Sequence, residues 1–132
     1  MYLSKETNAL LDKLKSSTGV EDICFIKACP YATKQTRLEK KICTLSPCEL
    51  DLDSISVDNE FFYGKYGIEL ALYVPYDFGS PVAFDDMERI VRAAMDDAVC
   101  GIKLSTVLKD STTECYKVKA VLTFSLSYCR EA

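Results

Sequence analysis

Seven cysteines are the residues of this 132-residue sequence most able to bind a metal or react with a substrate, because histidine is absent. Two pairs, Cys24 with Cys29 and Cys43 with Cys48, share one spacing, and four thiolates could hold a zinc ion. Zinc-binding pairs usually have two intervening residues rather than four, and Cys24 and Cys29 would face opposite sides of the strand that DICFIKAC predicts. We therefore expect reduced cysteines that pack as small apolar side chains, with no metal and no cofactor.

The absence of histidine also removes the usual general base, so a Ser-His-Asp or Cys-His site cannot form within this chain. The nearest approach to a catalytic pair is Asp51 and Asp53, which share one face of a predicted strand, where such residues are usually solvated. The segment PYDFGSP, residues 75–81, follows a strand, a position where active sites are common. No base, nucleophile or phosphate-binding motif accompanies it, so we expect no enzymatic activity.

Alternating apolar residues predict the sheet that positions these groups. Residues 41–58 predict a half-buried strand pair with a turn or bulge at Pro47, and residues 65–74 predict a strand with one apolar face. Residues 102–110 and 114–129 predict a C-terminal hairpin. A further strand is predicted by the sequence VEDICFIKAC, which precedes Pro30.

Two helices are expected to cover one face of this sheet. The first begins near Ser4, and the second runs from an N-cap at Ser80 to about Val99, with Gly101 as its C-cap. The predicted buried stripe of the second helix comprises Phe84, Met87, Val91, Ala94, Met95 and Ala98. The chain, residues 1–132, is thus predicted to be a single α+β domain. It would have a mostly antiparallel sheet of four to five strands, an N-terminal helix and one long helix packed on one face.

Aromatic residues are concentrated in two segments that are predicted to be loops. The sequence NEFFYGKYG contains Phe61, Phe62, Tyr63 and Tyr66, and the segment at 75–81 contains Tyr76 and Phe78. Rings in such loops can be tucked into the core or can contact another protein. For Tyr76 and Phe78 we expect packing against the edge of the sheet or against a neighbouring subunit.

Charge is segregated along the chain as well. Residues 34–41, which include Arg37, Lys40 and Lys41, carry a net charge of +3, and residues 49–60, which include Asp51 and Asp53, carry −5. If the two segments lie at different edges of the fold, one copy could dock head to tail on the next and close a ring. The alternative is a mixed-charge surface that only keeps the protein soluble.

The overall composition excludes several classes of protein. A net charge of −4 and a pI near 4.9 argue against a protein that binds nucleic acid through a basic surface. No apolar run approaches the ~20 residues needed to cross a bilayer, and the start of the sequence lacks the pattern of a signal peptide. We expect an intracellular protein with no membrane contact and no sequence-specific contact with nucleic acid.

Four consecutive segments resemble the small structural proteins of tailed-phage and prophage tail modules. They are LALYVPYDFGSP, AFDDMERIVRAAM, GIKLSTVLKD and CYKVKAVLTFSLSY, which fall within residues 64–129. In the tail-terminator and tail-completion families a strand ends in a similar pattern with proline and glycine, leads to a helix and returns through two strands. The cysteine count and the aromatic segment at 61–66 depart from the family pattern.

This resemblance implies a non-enzymatic protein that forms a ring, such as a hexamer, at the end of the tail tube. Its partners would be other copies of itself and other tail or head-tail connector proteins. It would reside in the cytoplasm of a bacterial host and in the assembled virion. An acidic lumen that includes Asp51, Asp53 and Glu60 would let DNA pass without binding it.

A second class of protein also suits the composition. Small acidic cytosolic chaperones of the secretion type are α+β proteins of similar length that act as dimers. In that case the aromatic segment would hold an unfolded client protein. The oligomeric state in solution distinguishes the two hypotheses.

Overall fold

Two helices and six strands form the described part of the chain, which comprises residues 3–27, 39–54, 61–96 and 98–129 of a computed structural model. In chain order the elements are α1 (Leu3–Ser16), β1 (Cys24–Lys27), β2 (Ile42–Ser54), β3 (Phe61–Pro75), α2 (Ser80–Ala94), β4 (Val99–Leu104), β5 (Leu108–Asp110) and β6 (Cys115–Cys129). One turn of 3-10 helix, Tyr76–Phe78, joins β3 to α2. The predicted α+β class is confirmed.

The sheet has the strand order β1-β2-β3-β6-β4, with β5 also paired to β6. All neighbouring pairs are antiparallel except β1 with β2, which is parallel. Six strands replace the four or five that were predicted, in part because the segment predicted as one strand at 102–110 divides into β4 and β5. At the division the hydroxyl of Ser105, rather than a backbone carbonyl, accepts the N–H of Lys119 at 2.9 Å.

Both helices pack on the same side of the sheet, here called the helix side; the opposite side is called the far side. Alternate residues of β3 point to the helix side as predicted: Tyr66, Ile68, Leu70, Leu72 and Val74 are all buried. They form one core with Leu10 and Leu14 of α1 and with Met87 and Ile90 of α2. Burial of each such side chain contributes about 1.5–3 kcal/mol before conformational entropy is counted. A smaller cluster of Ala71, Tyr73 and Cys115 lies on the far side.

The predictions of an aromatic loop and of two strands at 41–58 were wrong for the described residues. Residues 61–66 are the first part of the continuous strand β3, and β2 is one strand with a bulge after Pro47. Because β3 pairs with β2 on one side and β6 on the other, its backbone hydrogen bonds outweigh the poor strand propensity of Gly64 and Gly67. Residues 55–60 lie outside the described residues.

Helix α2 is shorter than its hydrophobic pattern predicts. It ends at Ala94, since Met95 is already extended, and Gly101 lies within β4 instead of capping the helix. Phe84 and Met95 were predicted to be buried but are 44% and 46% exposed. Phe84 lies on the flank of the helix, because successive residues turn by about 100° and the core contacts centre on Met87 and Ala94. Met95 follows the last helical residue in an extended conformation, so it no longer continues the buried stripe.

Candidate interaction site

The segment at 75–81 turns the chain from β3 into α2 through backbone geometry alone. Gly79 has a φ of 89°, a conformation that glycine adopts without the steric cost of a side chain. Gly79, and not Ser80 as predicted, occupies the N-cap, so Ser80 is the first residue of the helix. The N–H of Tyr76 donates to the carbonyl of Glu114 at 3.1 Å, which ties the segment to the start of β6.

The two aromatic side chains of this segment contact different parts of the fold. The ring of Tyr76 lies 5.0 Å from the ring of Tyr116 on β6. The ring of Phe78 is 47% exposed and lies 4.7 Å below the ammonium group of Lys41. Contacts of these two kinds each contribute on the order of 1 kcal/mol.

Replacement of both rings, Tyr76→Ser with Phe78→Ser, should lower the free energy of unfolding by about 1.5 kcal/mol, because the ring pair and the cation–π contact are lost together. Urea denaturation followed by circular dichroism measures the change. The exposed residue between them provides the control, since Asp77→Ser should change stability by less than about 0.5 kcal/mol. Equal effects in the two variants would show that the rings contribute no stability.

Next to Phe78 lies a network of two acidic and two basic side chains, which we call the ion-pair network: Asp22, Lys41, Asp86 and Arg89. Lys41 Nζ lies 2.8 Å from Asp86 Oδ2 and 3.1 Å from Asp22 Oδ2. Arg89 contacts the same two carboxylates, with Nη2 at 3.2 Å from Asp22 Oδ2. The side chains of Asp86 and Lys41 are only 5% and 10% exposed. The network joins the segment before β1, the start of β2 and helix α2.

The pKa values of Asp22, Lys41 and Arg89 are shifted in the directions that these contacts predict. Hydrogen bonding to Arg89 lowers the pKa of Asp22. Burial would lower the pKa of Lys41, but its hydrogen bonds to Asp86 and Asp22 outweigh burial, so its pKa is raised. The pKa of Arg89 is also raised by Asp22 and Asp86. Hydrogen bonding and ion pairing thus favour the charged forms of Asp22, Lys41 and Arg89, as expected of an ion-pair network that links three parts of the chain.

The described lysines of the predicted basic segment have different environments. Lys41 forms ion pairs within the chain, and Lys40 is exposed beside a cavity of about 360 Å³. This cavity is lined by Glu21, Asp22, Ile23, Cys24, Glu39, Lys40, Lys41 and Phe78. Arg37 lies outside the described residues.

The aromatic residues of β3 also have different environments. Tyr63 is 49% exposed, whereas Tyr66 is buried, stacks on Phe124 with ring centroids 5.0 Å apart and donates to Glu6 of α1 at 3.5 Å. Burial and the nearby Glu6 raise the pKa of Tyr66 to about 12. The backbones of Phe61 and Phe62 pair with the end of β6. Tyr66 thus belongs to the core of the fold, whereas Tyr63 lies at its surface.

The acidic residues of β2 owe their orientation to the bulge. Pro47 pairs with Ile68 and Glu49 pairs with Gly67, so Cys48 is the extra residue. After the bulge, Leu50 pairs with Tyr66 on the helix side, and Glu49 and Asp51 lie on the far side. Strand β1 pairs only with the first part of β2, Ile42–Leu45. We call the remaining outer edge, Glu49–Asp53, the acidic edge; it contains Asp51, which is exposed, and the backbone of Asp53.

The opposite end of the sheet carries a second edge, which we call the β4 edge, Ile102–Leu104. Ile102 and Leu104 pair with core residues of β6 on the helix side but are 42% and 39% exposed, because α2 does not extend over them. Lys103 points to the far side and, among the described residues, makes no ion pair. The sequence pattern did not indicate this edge, since isoleucine and leucine in a strand are typical of core positions. Lys103 between them was the available signal.

The described cysteines do not form a metal site. Cys24 pairs with Ile42 and Phe25 pairs with Cys43, so Cys24 and Cys43 face opposite sides of the sheet. Over the described ranges, no group of three or more Cys, Asp or Glu side chains is arranged to hold a metal ion. Burial raises the pKa of the Cys43 thiol.

Neither of the two described helices has the length and apolar character needed to cross a membrane. Comparison of the sequence with profiles of known protein families gave no match. Comparison with curated proteins gave no match either. Among the described residues, the two sheet edges are therefore the candidate interaction surfaces of the chain.

Proposed function

We propose that the protein is a non-enzymatic structural component of a phage or prophage tail module that assembles into a ring at the tail end or the head-tail junction. The main support for assembly comes from the two sheet edges. Within the described residues, the outer sides of the acidic edge and of the β4 edge pair with no other strand. Unpaired edges of this kind are surfaces on which another chain can add a strand.

The position of the two edges supports a ring. They lie at opposite ends of one sheet, so a contact between them is head to tail and uses different surfaces on the two copies. Such contacts close into a ring when the rotation between neighbours allows it. The helices and the sheet share one core, so each copy would act as a single packed unit and favour one fixed rotation.

The placement in a tail rests on the resemblance of residues 64–129 to tail-terminator and tail-completion proteins. In this proposal the ring, for example a hexamer, contacts other tail or head-tail connector proteins. The protein is made in the host cytoplasm and remains in the assembled virion. The charge-neutralised ion-pair network supports a structural role, since the acidic and basic groups there are bound to one another.

Size-exclusion chromatography with light scattering, followed by negative-stain microscopy, tests this function. The expected result is a closed ring, or a monomer that forms rings when purified tail tubes are added. A dimer whose mass does not depend on concentration would instead favour the secretion-type chaperone. A monomer at every concentration that also fails to bind tail tubes would contradict the proposal.

A further inference from the structure

We propose that neighbouring copies are joined by an antiparallel pair between the β4 edge of one copy and the acidic edge of the next, with Lys103 beside Asp51. This inference deepens the proposed function and rests on it, because it assumes that copies of the chain assemble.

The polarity of the strands permits the pairing. Within one sheet β2 and β6 run in one direction and β3 and β4 in the other. If the next copy is related by rotation about an axis roughly along the strands, its β2 runs antiparallel to β4 of the first copy. The sheet then continues across the boundary with the helices of both copies on one side.

The side chains match on both sides of the continued sheet. Asp51 and Lys103 lie on the far side, and neither makes an ion pair among the described residues. When they stand opposite each other, antiparallel numbering places Leu50 opposite Leu104 on the helix side. Leu50 is 50% exposed and Leu104 39% exposed in the single copy, so the pairing would remove both from water.

The pairing joins the end of one strand to a more central part of the other. In one copy, Val99 of β4 is level with Leu50 through Phe124 and Tyr66, whereas the proposed contact sets Leu104 level with Leu50 of the neighbour. Each subunit is therefore displaced along the strand direction relative to the last. A stagger of this kind tilts the strands to the ring axis, as it does in closed barrels.

The same charges exclude the two symmetric alternatives. Two β4 edges placed together would bring Lys103 of one copy near Lys103 of the other. Two acidic edges placed together would bring Asp51 of one copy near Asp51 of the other. Like charges across a strand pair are destabilising. The edge of β4 is also short and bulged between Val99 and Gly101, which discourages non-specific pairing. Only the head-to-tail pairing places opposite charges beside each other at the contact between the two edges.

Zero-length carbodiimide cross-linking of the assembled protein tests the contact directly. Within one copy β2 and β4 are separated by two strands, roughly 14 Å apart, so a bond between Asp51 and Lys103 must join two copies. A mixture of ¹⁴N- and ¹⁵N-labelled protein should yield mixed-label peptides that contain this bond. Assembled protein without any such peptide would overturn the inference.

Charge exchange provides a second test. Asp51→Lys alone and Lys103→Glu alone should each reduce assembly at least tenfold in the concentration required, because each places like charges at every contact. An equal mixture of the two variants should recover assembly, since alternating copies restore an opposite-charge pair at every boundary. The matched controls Asp12→Lys and Lys5→Glu change the same charges on exposed positions of α1 and should assemble normally.

The outcomes separate the inference from the proposed function. If the wild-type protein forms rings and both edge variants assemble as the controls do, the ring stands and this interface is wrong. If the wild-type protein never assembles, alone or on tail tubes, the proposed function and the inference fail together. Loss of assembly in both single variants without recovery in the mixture would contradict the Lys103–Asp51 pair.

Discussion

Asp86→Ala should lower the free energy of unfolding by about 3 kcal/mol, although Asp86 contributes no apolar surface to the core. Removal of one member of a buried ion pair costs about 3–5 kcal/mol because its partner is left buried and uncompensated. Lys41 is only 10% exposed and would lose its contact at 2.8 Å. The expected value lies at the lower end of the range because Asp22 still contacts both Lys41 and Arg89.

Urea denaturation of Asp86→Ala beside Asp85→Ala gives the measurement and its control. The two positions are adjacent on α2 and have the same side chain, but Asp85 is exposed and should change stability by less than about 0.5 kcal/mol. Lys41→Met with Asp86→Leu should recover part of the loss, since no buried charge then lacks its partner. Similar losses for Asp85→Ala and Asp86→Ala would show that the ion-pair network is not stabilising.

The sequence could not have predicted this network, because its members are far apart in the chain and each has a local explanation. Asp86 suits the positive end of the α2 dipole, and Lys41 belongs to a run of basic residues that resembles a solvated surface. Only the packing of α2 against the start of β2 brings the two together. The local sequence pattern predicts whether a side chain is buried or exposed, but it does not predict which distant residue that side chain contacts.

Periodicity succeeded where burial follows directly from alternation. The alternate residues Tyr66 to Val74 were predicted on one face, and all of them lie in the core. The same reasoning failed at Phe84, which was predicted to lie in the buried stripe of α2 but is 44% exposed. Apolar character alone does not distinguish a core position from an exposed edge, so the β4 edge could be recognised only from the structure.

The two explanations of Asp51 are also separated by experiment. If Asp51 only lines an acidic lumen, its replacement would change the passage of DNA and leave the ring intact. In the proposed interface Asp51 contacts Lys103 of a neighbour, so Asp51→Lys would disrupt the ring itself. The side on which Asp51 lies depends on the bulge in β2, which leads to a further expected result.

Deletion of Cys48 should leave the fold intact and change the free energy of unfolding by no more than about 1 kcal/mol, whereas deletion of Gly67 should cost more than about 4 kcal/mol or prevent folding. The two residues face each other: a Cβ atom on Gly67 would lie 3.1 Å from Cys48 Sγ. Cys48 is the exposed extra residue of the bulge, so its removal joins Pro47 to Glu49 with their partners Ile68 and Gly67 unchanged.

Gly67 has no such freedom, because β3 is paired on both sides. Its deletion would move the strand by one residue relative to both β2 and β6, which sets the apolar faces of the strands out of register. Urea denaturation of the two deletion variants measures the difference, and equal stabilities would contradict the assigned register. Since removal of Cys48 keeps Leu50 on the helix side and Asp51 on the far side, that variant should still yield the Asp51–Lys103 cross-link. A stable Cys48-deleted protein without the cross-link would show that the bulge itself, through the twist it gives to β2, is needed to present the acidic edge.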